Sequence, residues 1–238
     1  MQLPIVSYGI ACCRKSTNGK YEILMIKKKS TYSFAEFVRG SYNINQKHNI
    51  IYLLDNMSID EKISINSLNY NILWLKLYGK LPCQIDNKNY TRGLKKYNAL
   101  IEINNGQYLL EMLKYSGNKD ILWEIPKGRQ DKNESNLEAA IREFQEETNI
   151  PKNEYKILFN EKCISYTFFD NGKKYTYIYY LGIMLNNKYE PKFHFNSANM
   201  IREVLDIKFL SKEQIRLFNN NRLHNIVKVI IKKVKKYI

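Results

Sequence analysis

The sequence has no apolar run that approaches the roughly 18 residues of a membrane-spanning helix. Its start, MQLPIVSYGIACC, lacks a basic stretch ahead of an apolar one, as a secretory leader would have. Both absences lead us to expect a soluble, cytoplasmic protein. The four cysteines, Cys12, Cys13, Cys83 and Cys163, never form a C-x-x-C pair. Adjacent Cys12 and Cys13 would point to opposite faces of a strand and make poor joint ligands, so reduced thiols are expected rather than a zinc site. The three histidines, His48, His194 and His224, are widely scattered, and no Ser/His/Asp pattern supports nucleophilic hydrolysis. Acidic residues are also scarce, 23 against 38 Lys and Arg, for a net charge of +15. Such an excess predicts a polyanionic partner: nucleic acid, a phosphorylated small molecule or an anionic membrane surface.

Hydrophobic residues make up 44% of the chain, enough for a proper core, and no long disordered tract is evident. Val6 to Arg14 and Tyr21 to Lys28 flank a Ser-Thr-Asn-Gly turn, a hairpin signal. From about Phe37 to Gly117 the texture becomes asparagine-rich and helical. Ser58-Ile-Asp-Glu61 is a capping-box pattern, and Leu68, Ile72, Leu75 and Leu77 suit a buried helix face. GQYLLEMLKYSG, from Gly106, reads as a further helix with a glycine stop.

Strand character returns at Ile121-Leu-Trp-Glu-Ile125. CISYTFF and KYTYIYYLGIML flank Asp170-Asn-Gly172, a strong hairpin turn, and Asp206 to Leu210 reads as a last short strand. Leu223, Ile226, Val227, Ile230, Ile231 and Val234 then keep helical spacing, with Lys228, Lys232, Lys233, Lys235 and Lys236 on the other face. Strands before and after a helical block indicate one α/β (α+β) domain, residues 1–36 and 118–238, interrupted by a helical insertion, residues 37–117.

The segment GRQDKNESNLEAAIREFQEETNI, Gly128 to Ile150, places five glutamates in this basic chain. Ser135 and Glu138 fit a capping box, and Leu137, Ala140, Ile141 and Phe144 form one apolar face. Glu143, Glu146 and Glu147 stand at i, i+3 and i+4 and converge on another face. Their repulsion would vanish around divalent cations, and Mg2+ or Mn2+ prefer such oxygen ligands. Three glutamates alone would read as a solvated helix face. More is fixed here, however: G-x5-E-x7-R-E-φ-x-E-E-x-x-φ, a pattern expected by chance on the order of once in a hundred thousand such chains.

This segment resembles the Nudix box, and the preceding LWEIPKG resembles that family's lead-in. The resemblance implies a Nudix α/β/α sandwich with a mixed sheet and the hydrolysis of a nucleoside diphosphate linked to another group. It implies that Glu143, Glu146 and Glu147 hold metal, and that Glu134 and Arg142 pair to shape the loop that Gly128 opens. Asn149 stands where the family has glycine. After glycine, asparagine best tolerates a left-handed helix exit, so the departure is mild.

Three further stretches resemble the mRNA-decapping branch found in large DNA viruses, of African swine fever virus and poxvirus types. They are the first hairpin running into Thr31 to Gly40, the placement of the helical insertion, and FFDNGKKYTYIYYL. By that resemblance Phe34 and Tyr177 would stack the cap's N7-methylguanine, a cation that aromatic faces bind well, and Asp170 would accept from its edge. Core positions for the two aromatics and a plain turn role for Asp170 are the alternatives. By the same resemblance Glu203, in IREVLDIKFL, would be a fourth carboxylate, as metal ligand or as general base, with Glu143, Glu147 and Glu203 the catalytic set; an ordinary surface glutamate is the alternative.

A positive path for RNA would draw on Lys27, Lys29, Arg92, Lys95, Lys96, Lys232, Lys233 and Lys236. The function implied is removal of the m7G cap from mRNA in the cytoplasm, the host's if the chain is viral, releasing m7GDP and 5′-monophosphate RNA. The rivals are a Nudix pyrophosphohydrolase of diphosphoinositol polyphosphates or dinucleoside polyphosphates, and a non-catalytic RNA-binding protein. Membrane association through the basic C-terminal helix ranks below these, since its apolar face is expected to pack on the sheet.

Overall fold

The computed structural model describes residues 3–67, 69–81, 87–120, 122–194, 197–218 and 220–238. Cys83 and Leu68, both named above, lie outside the described residues. The chain begins with strands β1 (Ile5–Lys15) and β2 (Tyr21–Lys28). Six helices follow: α1 (Tyr32–Val38), α2 (Lys47–Asp55), α3 (Ile59–Ser67), α4 (Tyr70–Tyr78), α5 (Lys88–Glu102) and α6 (Gln107–Tyr115). Then come β3 (Trp123–Glu124), β4 (Lys127–Gly128), α7 (Asn136–Thr148), β5 (Tyr155–Ile157), β6 (Ile164–Asp170) and β7 (Lys173–Met184). The last elements are α8 (Ala198–Glu203), β8 (Val204–Ser211), α9 (Lys212–Arg216) and α10 (Asn221–Val234).

Two compact units result: residues 1–27 with 123–238, and residues 28–122. The first is built on an eight-stranded mixed sheet with the path β3-β2-β1-β7-β5. Strands β4, β6 and β8 pair with β1, β7 and β2. Strands β1 and β7 run parallel, from Ile5↔Tyr175 to Cys13↔Ile183, whereas β1–β2 and β6–β7 are antiparallel hairpins. The tight turn between β6 and β7 places Asn171 and Gly172 at positive φ, 46° and 72°, the geometry that Asn-Gly supplies at least cost.

The two-residue period of β1 and β2 decides both faces. Ala11, Cys13, Ile23 and Met25 enter the core that α9 and α10 close, and Cys12, Ile10, Leu24 and Ile26 enter the core that α7 closes. Cys12 and Cys13 therefore face opposite ways, both free and buried. All six apolar residues expected on α10 are buried in the first of these cores. Helices on both faces of a mixed sheet make the expected α/β/α sandwich.

The helical unit has its own core of Phe34, Phe37, Val38, Leu53, Leu54, Leu73, Trp74, Tyr97 and Leu100 among others. Glu61, almost wholly buried, ties its helix starts together. Its carboxylate accepts from the amides of Ser58 and Thr31 and from the Thr31 hydroxyl, and the Ser58 hydroxyl accepts from the Glu61 amide. The capping box at Ser58 is thus present. Two expectations need correction. Helix α1 buries Phe34, Phe37 and Val38 in this core, so residues 28–36 belong to the helical unit and the boundary falls earlier than 37. In α4 the buried positions are Tyr70, Leu73 and Trp74, while Ile72 and Leu75 are 42% and 38% exposed. Capping by Asn69 starts that helix at Tyr70, and the phase 70, 73, 74, 77 turns Ile72 and Leu75 outward.

Candidate active site

The site grows from a single loop and helix. Strand β4 pairs with β1 through Tyr8↔Gly128 and Gly9↔Lys127, so the backbone at Pro126 to Gly128 runs tight against β1. A Cβ at Gly9 would lie 2.1 Å from the Pro126 carbonyl oxygen, and one at Gly128 would lie 2.0–2.2 Å from the carboxyl atoms of Glu143. Glycine at 128 is what lets the Glu143 carboxylate lie against the loop. The chain then turns into α7, where the Ser135 hydroxyl accepts from the Glu138 amide (3.2 Å) and Glu138 accepts from the Ser135 amide (2.8 Å). Ala139, Ala140 and Phe144 of α7 are buried against the sheet, with Leu137 and Ile141 packed beside them. The helix leaves at Asn149 in the left-handed region, φ 52° and ψ 24°, as asparagine permits.

Arg142 organises the exposed side of this helix. Its Nε donates to Glu134 Oε1 at 2.8 Å and its Nη2 to Glu134 Oε2 at 3.0 Å, a bidentate pair, and Nη2 also donates to the Arg129 carbonyl. Its Nη1 donates to Glu143 Oε1 at 2.9 Å and lies 3.6 Å from Glu146 Oε1. Arg142 holds the Glu134 carboxyl below the usual carboxylate range, while those carboxylates push the guanidinium still higher. The Glu134–Arg142 pair is therefore present as expected.

The three clustered glutamates sit in different surroundings. Glu147 is 3% exposed, and its Oε2 accepts from the Lys127 amide at 2.8 Å. Glu143 is half-buried. Burial raises its pKa first of all, Arg142 opposes that, and the charges of Glu146 and Glu203 add to the rise. Glu203, at the end of α8, is thus close enough to be felt at Glu143, and its Oε1 accepts from Arg202 at 2.7 Å. Among the described residues no three His, Cys, Asp or Glu side chains converge on one cation position. The geometry explains why: Glu143 and Glu146 are turned onto Arg142, and one Glu147 oxygen is on a backbone amide. The donor set is nonetheless all carboxylate, which suits a hard cation, and the repulsion at Glu143 is what such an ion would relieve.

The expected cap residues divide. Tyr177, half-buried on β7, carries the Lys127 ammonium 4.6 Å from its ring centroid. Burial raises the Tyr177 hydroxyl pKa, Lys127 opposes the rise, and Asp170 at the hairpin tip contributes to it. Tyr177 and Asp170 thus share one hairpin, Tyr177 paired with Tyr166 and Asp170 with Lys173, and the Asp170 charge reaches the Tyr177 hydroxyl. Phe34 is 0% exposed in the core of the helical unit and offers no ring face to a ligand, which corrects its assignment as a stacking residue. Its helix start and the surrounding apolar helices explain the burial.

The basic residues divide as well. Arg92 donates to the Arg39 carbonyl, the Ser41 hydroxyl and Asn89 Oδ1, and Lys96 donates to the Gly40 and Tyr42 carbonyls. Burial lowers the Lys96 pKa. These two residues brace the turn after α1, so their first role is structural. Lys236 pairs with Glu161, and Lys233 donates to the Lys162 carbonyl. Lys95 and Lys232 are exposed, and Lys27 and Lys29 half-buried.

Sequence reasoning missed the Glu124–Lys127 ion pair, 2.7 Å long and buried within LWEIPKG. It also missed the aromatic floor beside it, where Phe168 stacks on Tyr175 at 5.4 Å and Arg222 lies 4.7 Å from the Phe168 centroid. An acid and a base three residues apart in an otherwise apolar run was the available signal.

The NUDIX domain model matches residues 97–231. The African swine fever virus (isolate Pig/Kenya/KEN-50/1950) protein named mRNA-decapping protein g5R is 32% identical over 237 residues, covering 97% of this chain and 94% of that one. A protein of Acanthamoeba polyphaga mimivirus is 32% identical over 187 residues, 67% of this chain and 51% of its own length. A solved structure, that of a C. elegans Ap4A hydrolase binary complex, aligns over 98% of this chain and 99% of its own at 15% identity, with a TM-score of 0.49.

Proposed function

The chain belongs to the Nudix family of hydrolases, and on that premise we propose that it removes the m7G cap from RNA. The observation that carries this reading is the relatedness to a viral mRNA-decapping protein over 97% of the chain, helical unit included. Water cleaves the anhydride bridge so that two phosphates leave with methylguanosine, as m7GDP, and one stays on the RNA.

Glu143, Glu146, Glu147 and Glu203 would hold Mg2+ or Mn2+, which when bound polarises phosphoryl oxygens and lowers the pKa of water. The chain's own part is to place those carboxylates. The Lys127 amide fixes Glu147, the bare Gly128 backbone and Arg142 fix Glu143, and Glu134 fixes Arg142. Glu203, felt at Glu143 and more exposed, is the candidate to accept the proton of the attacking water. Tyr177 stacks the cationic base and Asp170 accepts from its edge. Lys95, Lys232, Lys27 and Lys29 remain candidates for the RNA path, and the cytoplasm is the setting such a substrate requires.

A competition experiment tests the substrate class. Long uncapped RNA should inhibit turnover of capped RNA strongly and lose that effect steeply as salt rises, because phosphate contacts release counterions. Turnover of dinucleoside polyphosphates or diphosphoinositol polyphosphates that long RNA leaves untouched would point instead to a small-molecule pyrophosphohydrolase.

A further inference from the structure

Glu124 and Lys127 are the charged residues of the LWEIPKG run, and their side chains are only 12% and 3% exposed. Lys127 Nζ lies 2.7 Å from Glu124 Oε2 and 4.6 Å from the centroid of the Tyr177 ring. That ring also meets Phe168 and Tyr179 edge-on, with centroids 5.1 and 6.4 Å away. A buried ion pair seldom stabilises a fold more than apolar side chains of the same volume, so stability is a poor account of this one. What the pair does reach is the ring itself. A base stacking on Tyr177 would share the ring with the Lys127 ammonium.

From this geometry we propose that the Glu124–Lys127 pair sets the charge preference of the Tyr177 stacking site, acting as a specificity-determining support beneath it. The inference rests on the cap reading above. An aromatic face attracts one cation, and a second cation stacked about 3.5 Å from the ring feels the first across it. Two unit charges about 8 Å apart, at an effective dielectric near 20, shift an equilibrium by at most on the order of thirtyfold, and by less once solvent screens them. The Glu124 carboxylate, in contact with the ammonium, cancels most of that repulsion. With the pair balanced, Tyr177 accepts a cationic N7-methylated base. With the ammonium unbalanced, the site prefers a neutral one.

The test measures kcat/KM on labelled RNA capped with or without the N7-methyl group and takes the ratio of the two. The full chain is compared with Glu124→Gln and with the double variant Glu124→Gln/Lys127→Met, each checked for folding by thermal melting. The ratio should fall about fivefold in Glu124→Gln, through a higher KM for the methylated cap, and return to within about twofold of wild type in the double variant. A purely structural role would lower turnover of both RNAs alike and leave their ratio unmoved, whatever the double variant does to the melt. An unmoved ratio in folded Glu124→Gln, or a fall that the double variant does not reverse, overturns the proposal. Where Glu124→Gln does not fold, Lys127→Met takes its place, and a fall in its ratio overturns the proposal, since it leaves only a carboxylate beside the ring. Wild type that turns over neither RNA overturns the decapping reading itself, whereas wild-type turnover with an unmoved ratio overturns only the role of the pair.

Discussion

Gly128→Ala isolates the placement of Glu143 from the stability of the fold. The added methyl would sit 2.0 Å from the Glu143 carboxyl carbon and 2.1–2.2 Å from its oxygens. Carbon contacts settle near 3.5 Å, so the carboxylate must retreat by about 1.5 Å. The obstacle is the far end of a flexible side chain, and a swing about its own torsions accommodates the methyl. The stability cost should therefore stay near the low end of overpacking, about 1 kcal/mol. The chemical cost should be larger, because a misplacement of about 1 Å at a reacting centre costs on the order of 10²-fold, or about 2.7 kcal/mol of barrier. Gly9→Ala is the contrast. There the methyl would meet the Pro126 carbonyl oxygen at 2.1 Å, which is backbone and cannot swing away. That variant should lose melting temperature first. Thermal melting and kcat/KM on capped RNA, measured on both variants, separate the two effects. A Gly128→Ala protein with unchanged Tm and more than a third of wild-type activity would refute the reasoning.

Three other outcomes follow from the same geometry. Phe34→Ala should cost about 3–5 kcal/mol of stability, read by denaturant unfolding, because the ring is wholly buried in the helical unit; a loss below about 1 kcal/mol would return Phe34 to the surface. Lys96→Met should destabilise by about 1–2 kcal/mol through its lost bonds to the Gly40 and Tyr42 carbonyls, whereas Lys95→Ala should leave the melt unchanged and weaken RNA binding alone, by filter binding. Glu134 has its carboxyl pKa lowered by Arg142, so its stabilising effect is present above the ordinary carboxylate range and fades as pH falls through the lowered value. Wild type should thus melt above Glu134→Gln at pH 7, with the gap closing in acid; a gap that widens in acid would contradict the pairing.

Much of this was legible because short-range rules governed it. The capping boxes at Ser58 and Ser135, the Asn-Gly hairpin and the apolar stripe of α10 each depend on residues within a few positions of one another. The Glu134–Arg142 pair was legible through family resemblance, and its bidentate geometry agrees. Legibility failed where a distant partner decides the outcome. An exposed-looking Phe34 and the charged Arg92 and Lys96 are claimed by the core and turns of the helical unit. In α4 the cap at Asn69 reset the helical phase, which a count begun at Leu68 gets wrong. The Glu124–Lys127 pair left a local trace in the sequence, but its contact with Tyr177 joins residues some fifty positions apart across the sheet, and no local pattern announces that.

The central claim is that buried Glu147, held by the Lys127 amide, belongs to a centre that hydrolyses the cap. The most direct measurement follows cap-labelled RNA with Mg2+ or Mn2+ and identifies the released species, for wild type and for Glu147→Gln. The account predicts m7GDP from wild type and a loss of at least about 10²-fold in the variant. Label released in another form, or full activity in a folded Glu147→Gln, would contradict it.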